Sequence, residues 1–245
     1  MTENRDAATG LVAALFVDAK GVYAGLPGVH VWDEARDARL YSGPYPVVAH
    51  PPCSRWCRLA GLVEARWGHK RGDDGGCFAA ALRAVRDYGG VLEHPAWSDA
   101  WSAFDLPKPP RDGGWVAGIC GGWSCYVEQG RYGHVAKKAT WLYAFGVELP
   151  ELRWGHEPDQ RSAAMVSWCG NHVASNERRP RVGKAAAAAT PIEFRDVLLS
   201  IARSAEVRRP ESAMRMNVHI RGADGVMTGY ETYGEAVCGG HYVEF

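Results

Sequence analysis

The chain has 245 residues, of which 47% are hydrophobic and 23% are charged, a balance typical of a globular protein. Its formal net charge is zero, so no overall positive field attracts it to nucleic acid, and any such affinity must come from a local patch. No apolar stretch approaches the roughly 20 residues that a membrane-spanning helix needs, and residues 1–10 lack the apolar core of a signal peptide. We therefore expect a cytoplasmic protein.

The first half of the chain alternates apolar runs with turns. Four of these runs predict buried strands: residues 11–18, Val29–Trp32, residues 46–50 and residues 90–93. Between the last two, Asp73 and Asp74 precede a predicted helix whose apolar face carries Phe78, Leu82 and Val85. This alternation favours an α/β fold with a mostly parallel sheet, in which the chemistry gathers at the carboxyl ends of the strands.

The second half predicts a different mixture of elements. Residues 123–128 and 140–145 predict two strands around a turn, and Pro191 opens a helix that runs to Ala202. Residues 218–221 and 226–230 predict a hairpin near the end of the chain. We expect a catalytic domain over residues 8–204 and a small C-terminal β extension over residues 205–245.

Residues that carry chemistry stand where two of the predicted strands end. The letters HPPC end the third strand at residues 50–53, and EHP end the fourth at residues 93–95. A thiolate can add to carbon 6 of a pyrimidine ring, and a protonated carboxyl group can stabilise the charge that builds on the base. These positions predict Cys53 as a nucleophile and Glu93 as its partner. The alternative for Cys53 is a small buried apolar side chain.

The sequence around these residues resembles the cytosine-5 DNA methyltransferase family. The resemblance rests on AHPPCSRWCRLAG from Ala49, then GDDGGCFAAALRAV, then GGVLEHPAWS. The family has a Pro-Pro-Cys loop after one strand, an Ala-Gly shortly after it, a Gly-Asp-Asp helix start and a glutamate closing the next strand. The resemblance implies a class I methyltransferase-like (Rossmann-type) fold, S-adenosylmethionine as cofactor and DNA as substrate. It also implies that Cys53 is the nucleophile and that Glu93 holds the base.

The resemblance implies roles for further residues. The segment QGRYGHVAKKATWLYAF from Gln129 looks like the part of the family that holds the flipped base and a phosphate. By this likeness, three basic residues join the catalytic group: Arg131, Lys137 and Lys138. Five residues would contact the substrate: Pro52, Ser54, Arg55, His94 and Gln129. Five would contact the cofactor: Asp18, Gly21, Gly25, Asp33 and Pro51. For Lys137 and Lys138 a solvated turn is the alternative.

The chain departs from the family in its cofactor-binding half. It has FVDAKGVYAGLPG where the family has Phe-x-Gly-x-Gly, and too few residues separate Asp18 from Asp33 for a loop, a full helix and a strand. The first helix is therefore predicted to be missing or reduced to a turn. The region after Tyr143 is too short for a large target-recognition domain, and His94 stands where the family usually has Asn.

A second possible function follows from that departure. A missing first helix also fits a protein of this fold that is inactive, or that uses Cys53 in another pyrimidine modification. The compact size is similar to that of bacteriophage accessory proteins, among which hypermodified bases are common, so a bacterial or phage-encoded protein is expected by analogy.

A third possible function is a zinc-stabilised nucleic-acid-binding module. Some cysteines and histidines have spacings that a zinc ion accepts: His50-x-x-Cys53-x-x-x-Cys57 and Cys169-x-x-His172, with Cys120 and Cys125 in addition. The methyltransferase interpretation requires no metal. Seven cysteines, an odd number spread along the chain, favour reduced thiols over a disulfide framework.

Overall fold

The computed structural model describes residues 10–57, 60–155, 165–166 and 181–205. The strands in this part of the chain are β1 Val12–Leu15, β2 Val29–Trp32, β3 Val47–Ala49, β4 Gly90–Pro95, β5 Val116–Ala117, β6 Trp123–Glu128, β7 Ala139–Phe145, β8 Met165–Val166 and β9 Arg181–Val182. The helices are α1 Ala60–Trp67, α2 Cys77–Tyr88, α3 Ala100–Ala103, α4 Lys184–Ala188 and α5 Ile192–Arg203. Two short 3-10 turns, Ala38–Leu40 and Gln129–Tyr132, complete the regular structure described. Within the described residues, no helix has the length and apolar character to cross a membrane.

The main sheet contains both parallel and antiparallel strands. Its order is β2-β1-β3-β4-β7-β6-β5, while β8 and β9 pair separately. β2, β1, β3 and β4 run parallel to one another. β7 runs antiparallel to both of its neighbours, β4 and β6, and β5 runs antiparallel to β6. The result is a mixed sheet that forms a half-barrel with few helices.

The predicted class I methyltransferase-like (Rossmann-type), mostly parallel sheet is therefore wrong. Parallel neighbours require a long crossover, usually through a helix, whereas antiparallel strands can be joined by a turn. Between β6 and β7 the chain forms the 3-10 turn Gln129–Tyr132 and a short loop, so the two strands pair antiparallel, with Cys125 opposite Leu142. β7 then meets β4 in the reverse direction.

No helix forms between β1 and β2, which confirms the expectation from the short spacing: residues 16–28 make turns only. Successive side chains of β1 point to opposite faces of the sheet, so the strand contributes to the core on both sides. Val12 and Ala14 pack in the cluster that contains Phe194 of α5. Ala13 and Leu15 pack in the opposite cluster, with α2. One amphipathic helix thus covers each face, and the strand ends stay open.

The described residues belong to the first of two compact units into which the chain divides, residues 1–207. The predicted hairpin at residues 218–230 lies outside the described residues. The expected domain division, residues 8–204 and 205–245, stays a prediction.

Candidate functional site

Two neighbouring parallel strands, β3 and β4, end at the same edge of the sheet. Their register pairs Ala49, the last residue of β3, with Leu92 of β4, so His50, just after β3, lies beside Glu93, within β4. His50 Nδ1 lies 3.0 Å from Glu93 Oε2, with both side chains largely buried. Cys53 follows His50 in the turn after β3. The strand pairing therefore brings together the two residues at the centre of the predicted chemistry.

Glu93 lies in the middle of a chain of hydrogen bonds, which we call the Glu93 chain: Tyr23, His50, Glu93, Gln129 and Thr140. The Tyr23 hydroxyl lies 2.8 Å from His50 Nε2, so both ring nitrogens of His50 have partners. Gln129 Nε2 donates to Glu93 Oε1 and to Thr140 Oγ1, each at 3.0 Å. Each oxygen of the Glu93 carboxylate thus has a hydrogen-bond partner, and these hydrogen bonds fix the orientation of the side chain.

Charge and burial set the protonation states in the Glu93 chain. Burial acts to raise the pKa of the Glu93 carboxyl, but the hydrogen bond and charge of His50 outweigh burial and lower this pKa to about 2. Glu93 is thus a carboxylate at neutral pH, whereas the chemistry predicted from the sequence requires a protonated carboxyl. Burial, with a contribution from Glu93, raises the pKa of Tyr23, so its hydroxyl stays protonated.

Cys53 is half-buried and free. Burial raises the pKa of its thiol, and the charge of Glu93 raises it further, while Lys138 lowers it. The thiol and the carboxylate therefore lie close enough to interact electrostatically. The carbonyl of Cys53 accepts hydrogen bonds from the amides of Trp56 and Cys57, at 3.0 and 2.9 Å, which hold the turn in shape.

The positive charge of Lys138 acts on both groups: it lowers the pKa of the Glu93 carboxyl and that of the Cys53 thiol. Its Nζ donates to the carbonyls of Ala188 and Ala189 at 3.1 and 2.6 Å, at the end of α4. Burial lowers the pKa of Lys138, while the charges of Glu93 and Cys53 act to raise it. Its backbone has a φ of 39°, which non-glycine residues rarely adopt.

His94 faces the opposite side of β4 from Glu93. Its ring stacks on Trp101 and meets Phe78 edge-on, with no exposed surface. Neither ring nitrogen makes a hydrogen bond of normal geometry among the described residues, although the Pro52 backbone lies close enough to favour the charged form. Burial lowers the pKa of His94 to about 4, so the ring is neutral. The structure places this predicted substrate residue beneath the Pro52 loop.

A cleft of about 1080 Å³ opens at the carboxyl ends of β1 and β2. Its lining is acidic, with four carboxylates and one arginine: Asp18, Asp33, Glu34, Asp37 and Arg39. Pro52 also lines it, which brings the cleft next to Cys53. Of the predicted cofactor residues, Asp18 and Asp33 thus line one cavity. Gly21 and Gly25 lie in the turn after β1, and Pro51 is buried after β3; none of these three is among the lining residues.

Other predicted residues have different partners. Arg131 donates to the carbonyls of Trp154 and Gly155. Lys137 forms an ion pair with Glu128, Nζ to Oε1 at 2.8 Å. Both side chains thus have partners other than Glu93. Ser54 is exposed and Arg55 is half-buried in the turn that follows Cys53.

The zinc interpretation finds no support in the described part of the chain, where no group of three or more His, Cys, Asp or Glu side chains is placed to hold a metal ion. His50 uses both ring nitrogens in hydrogen bonds, and Cys125 is fully buried in the core. Cys169 and His172 lie outside the described residues. Cys120 is disulfide-bonded, which departs from the expected reduced thiols, whereas four cysteines are free: Cys53, Cys57, Cys77 and Cys125.

Sequence reasoning missed Tyr23 and the role of His50, which it considered only as a zinc ligand. A signal for His50 was available: it ends the predicted third strand, and Glu93 stands at the end of the apolar run of the neighbouring parallel strand. Tyr23 has no such signal, because it lies in an irregular turn far from both residues in sequence. Comparison of the chain with models of known families, with curated proteins and with solved structures found no match.

Proposed function

We propose that this protein is a DNA cytosine-5 methyltransferase in which Cys53 is the nucleophile and Glu93 binds the base. The observation that carries the proposal is the position of Cys53 in the turn after β3, next to the parallel strand β4 that carries Glu93. Cys53 follows β3, Glu93 lies within the adjacent parallel strand β4, and the charge of Glu93 raises the pKa of the Cys53 thiol. A thiol and an oriented carboxylate are the two groups that covalent activation of a pyrimidine requires.

The acceptors of the site favour cytosine over the other pyrimidine bases. Glu93 is ionised, and the amide oxygen Oε1 of Gln129 is buried without a hydrogen-bond partner among the described residues. A buried acceptor without a partner costs free energy, which a ligand donor recovers. Cytosine presents an amino group at carbon 4, whereas thymine and uracil present a carbonyl. An amino donor fits these acceptors, and a carbonyl does not.

The burial of Glu93 bears on how the base arrives. Its side chain is 10% exposed, so a base stacked inside a duplex cannot reach it. The target nucleotide must leave the stack and enter the site, as enzymes that modify bases generally require. Trp97, two residues after the end of β4, is partly exposed, and the Arg111 guanidinium lies 5.5 Å from its ring centroid. Such an aromatic and cationic pair suits contact with unstacked bases.

The cleft beside Pro52 fits S-adenosylmethionine in charge and size. Pockets for small ligands and cofactors have volumes of about 300–1,000 Å³, and this one has about 1080 Å³. Its excess of carboxylates suits a cation, and Asp33, just after β2, is placed to accept hydrogen bonds from ribose hydroxyls. When bound, the cofactor supplies the methyl group. The protein's part is to orient the nucleophile and the base beside it.

A covalent-trapping experiment tests this function. Protein, S-adenosylmethionine and DNA of mixed sequence with 5-fluorocytosine in place of cytosine are incubated, and the products are separated under denaturing conditions. Fluorine at carbon 5 cannot leave as a proton does, so the adduct between sulfur and carbon 6 persists. We expect wild-type protein to form a protein–DNA adduct, with both duplex and single-stranded DNA tested.

Cys53→Ala is expected to abolish the adduct, because it removes the attacking sulfur. Cys57→Ala is the matched control, since Cys57 is a second free, half-buried thiol in the same turn. That variant should form the adduct at the wild-type rate. An absence of adduct with wild-type protein, or equal trapping by Cys53→Ala, would contradict the proposed function.

A further inference from the structure

We propose that Tyr23 and His50 act together as a proton store behind Glu93, in which His50 holds the proton that Glu93 passes to ring nitrogen 3 of the pyrimidine. The inference deepens the proposed function and rests on it. It assigns roles in catalysis to two residues of the Glu93 chain that lie behind the carboxylate, away from the base.

A proton store is needed because the Glu93 carboxyl is ionised before the base binds. Addition of the Cys53 sulfur to carbon 6 pushes an electron pair onto ring nitrogen 3, which then requires a proton. Glu93 is a carboxylate before the base arrives and has no proton of its own to give. The proton must therefore come from a group bonded to Glu93.

Within the described part of the chain, two side chains donate hydrogen bonds to the Glu93 carboxylate, and they differ in whether they can release a proton. Gln129 contributes an amide N–H to Oε1, which does not ionise in water. His50 Nδ1 lies 3.0 Å from Oε2, and an imidazole ring can carry a proton on each nitrogen and release one of them. Of these two partners, only His50 can therefore transfer a proton to the Glu93 carboxylate.

Tyr23 is suited to support both protonation states of His50. A hydroxyl can accept a hydrogen bond from a protonated Nε2, and it can turn to donate to the same nitrogen once the ring is neutral. The Tyr23 oxygen lies 2.8 Å from Nε2, and its raised pKa keeps the phenol intact throughout. A backbone carbonyl in this position could only accept, and would favour one state alone.

The proposed step balances in protons and electrons. The Cys53 S–H loses its proton to water, and the sulfur bonds to carbon 6. The carbon 5–carbon 6 pair moves toward carbon 4, and the carbon 4–nitrogen 3 pair moves onto nitrogen 3. Nδ1 of the protonated His50 passes its proton to Glu93, and Glu93 passes it on to ring nitrogen 3. Carbon 5 would take the methyl group from the sulfonium sulfur of the donor, which leaves as a thioether. The carbon 5 proton then leaves to water, the bond between the Cys53 sulfur and carbon 6 breaks, and the sulfur takes a proton back from water. Nitrogen 3 returns its proton through Glu93 to His50.

His50→Asn separates proton storage from positioning. The Asn amide nitrogen can take the place of Nδ1 and donate to Glu93, but it carries no releasable proton. We expect the rate of adduct formation with 5-fluorocytosine DNA to fall by about 10²-fold or more, the usual contribution of a proton-transfer group. His30→Asn, at an exposed histidine of β2, is the control and should keep the wild-type rate. Circular dichroism of each variant checks that it is folded.

Chemical rescue supplies a readout that a structural role would not move. In His50→Ala, added imidazole should restore part of the rate, whereas 1,2,4-triazole, of the same size but too weak a base to hold a proton at neutral pH, should not. Tyr23→Phe is expected to lower the rate by about tenfold, because only the supporting hydroxyl is lost. Tyr41→Phe is its control, a buried tyrosine whose hydroxyl donates to the Tyr45 carbonyl.

The outcomes distinguish the two proposals. Trapping by wild-type protein, slow trapping by His50→Asn and rescue by imidazole alone would support the proton store. If wild-type protein traps DNA while His50→Asn traps it equally fast, or triazole rescues as well as imidazole, the proton store is wrong and the proposed function stands. If wild-type protein traps nothing, the proposed function itself fails.

Discussion

Glu93 and His94 are consecutive residues of β4, yet their surroundings differ completely. Glu93 faces polar partners on one side of the sheet, where His50 and Gln129 hold both of its oxygens. His94 faces an aromatic cluster on the other side and is fully buried. Adjacent strand residues point to opposite faces, so two titratable side chains can have opposite environments without a gap between them.

The burial of His94 predicts a loss of stability in acid. Its folded pKa of about 4 lies below the ordinary value of 6.5, so as the pH falls the unfolded chain takes up a proton before the folded one. Stability should therefore decline between pH 6.5 and pH 4, by up to about 3 kcal/mol. His94→Phe, which keeps an aromatic ring in the cluster, should flatten this decline. Urea unfolding at several pH values measures it.

His30→Phe is the control for that measurement, because His30 is exposed on β2. It should leave the pH dependence of the free energy of unfolding unchanged. A His94→Phe variant whose stability declines in acid as steeply as that of wild-type protein would show that His94 is not the cause.

At the scale of elements, the site depends on how closely β3 and β4 approach. Gly90 begins β4 with a φ of 133°, and a Cβ added there would lie 2.0 Å from the carbonyl oxygen of Val47. A side chain at this position must push the two strands apart, just upstream of the residues that place His50 beside Glu93. Gly90 is thus required by a backbone contact as well as by its own conformation.

Gly90→Ala is expected to lower the free energy of unfolding by about 3 kcal/mol, from the overlap and the strained φ combined. Gly61→Ala in α1 is the matched control, since a Cβ there meets no other atom within 4 Å. Alanine favours a helix over glycine, so this variant should be neutral or up to about 1 kcal/mol more stable. Chemical denaturation measures the free energy of unfolding of both variants. Equal values would show that a Cβ at position 90 does not strain the contact with Val47.

At the scale of the molecule, local apolar runs predicted most of the elements but not the arrangement of the sheet. The runs at residues 46–50 and 90–93 contain β3 and the first part of β4, because strands buried on both faces are apolar throughout. The helix starting at Pro191 also formed, as α5. The reversed direction of β7 was not predicted, since it depends on a short connection and on pairing between distant segments.

The same division applies to the site. Cys53 and Glu93 were predicted because apolar runs and the prolines that follow them can be recognised locally. The structure has Cys53 in the turn after β3 and Glu93 on the neighbouring strand β4, and their roles stay a prediction. Arg131 and Lys137 were assigned by resemblance alone, and their side chains are engaged with Trp154 and Glu128. The partners of Glu93 come from three distant segments, so only the folded chain reveals them.

The cleft predicts that S-adenosylmethionine stabilises the whole protein. A ligand present at 100 times its dissociation constant adds about 2.7 kcal/mol to the free energy of unfolding, which raises the melting temperature. Asp33→Ala should reduce this shift, and Glu151→Ala, at an exposed acid outside the cleft lining, should not. Thermal unfolding with and without the cofactor measures both. No shift in wild-type protein would contradict methyl transfer and favour another pyrimidine modification through Cys53.

The protonated state of the Cys53 thiol affects its reactivity toward reagents other than a base. Alkylating agents and peroxides attack thiolates, and burial together with the Glu93 charge keeps this sulfur as S–H. Iodoacetamide or hydrogen peroxide therefore reacts slowly with Cys53 in the resting protein. A survey that ranks cysteines by alkylation would overlook it, and the same low reactivity would protect this thiol from oxidation.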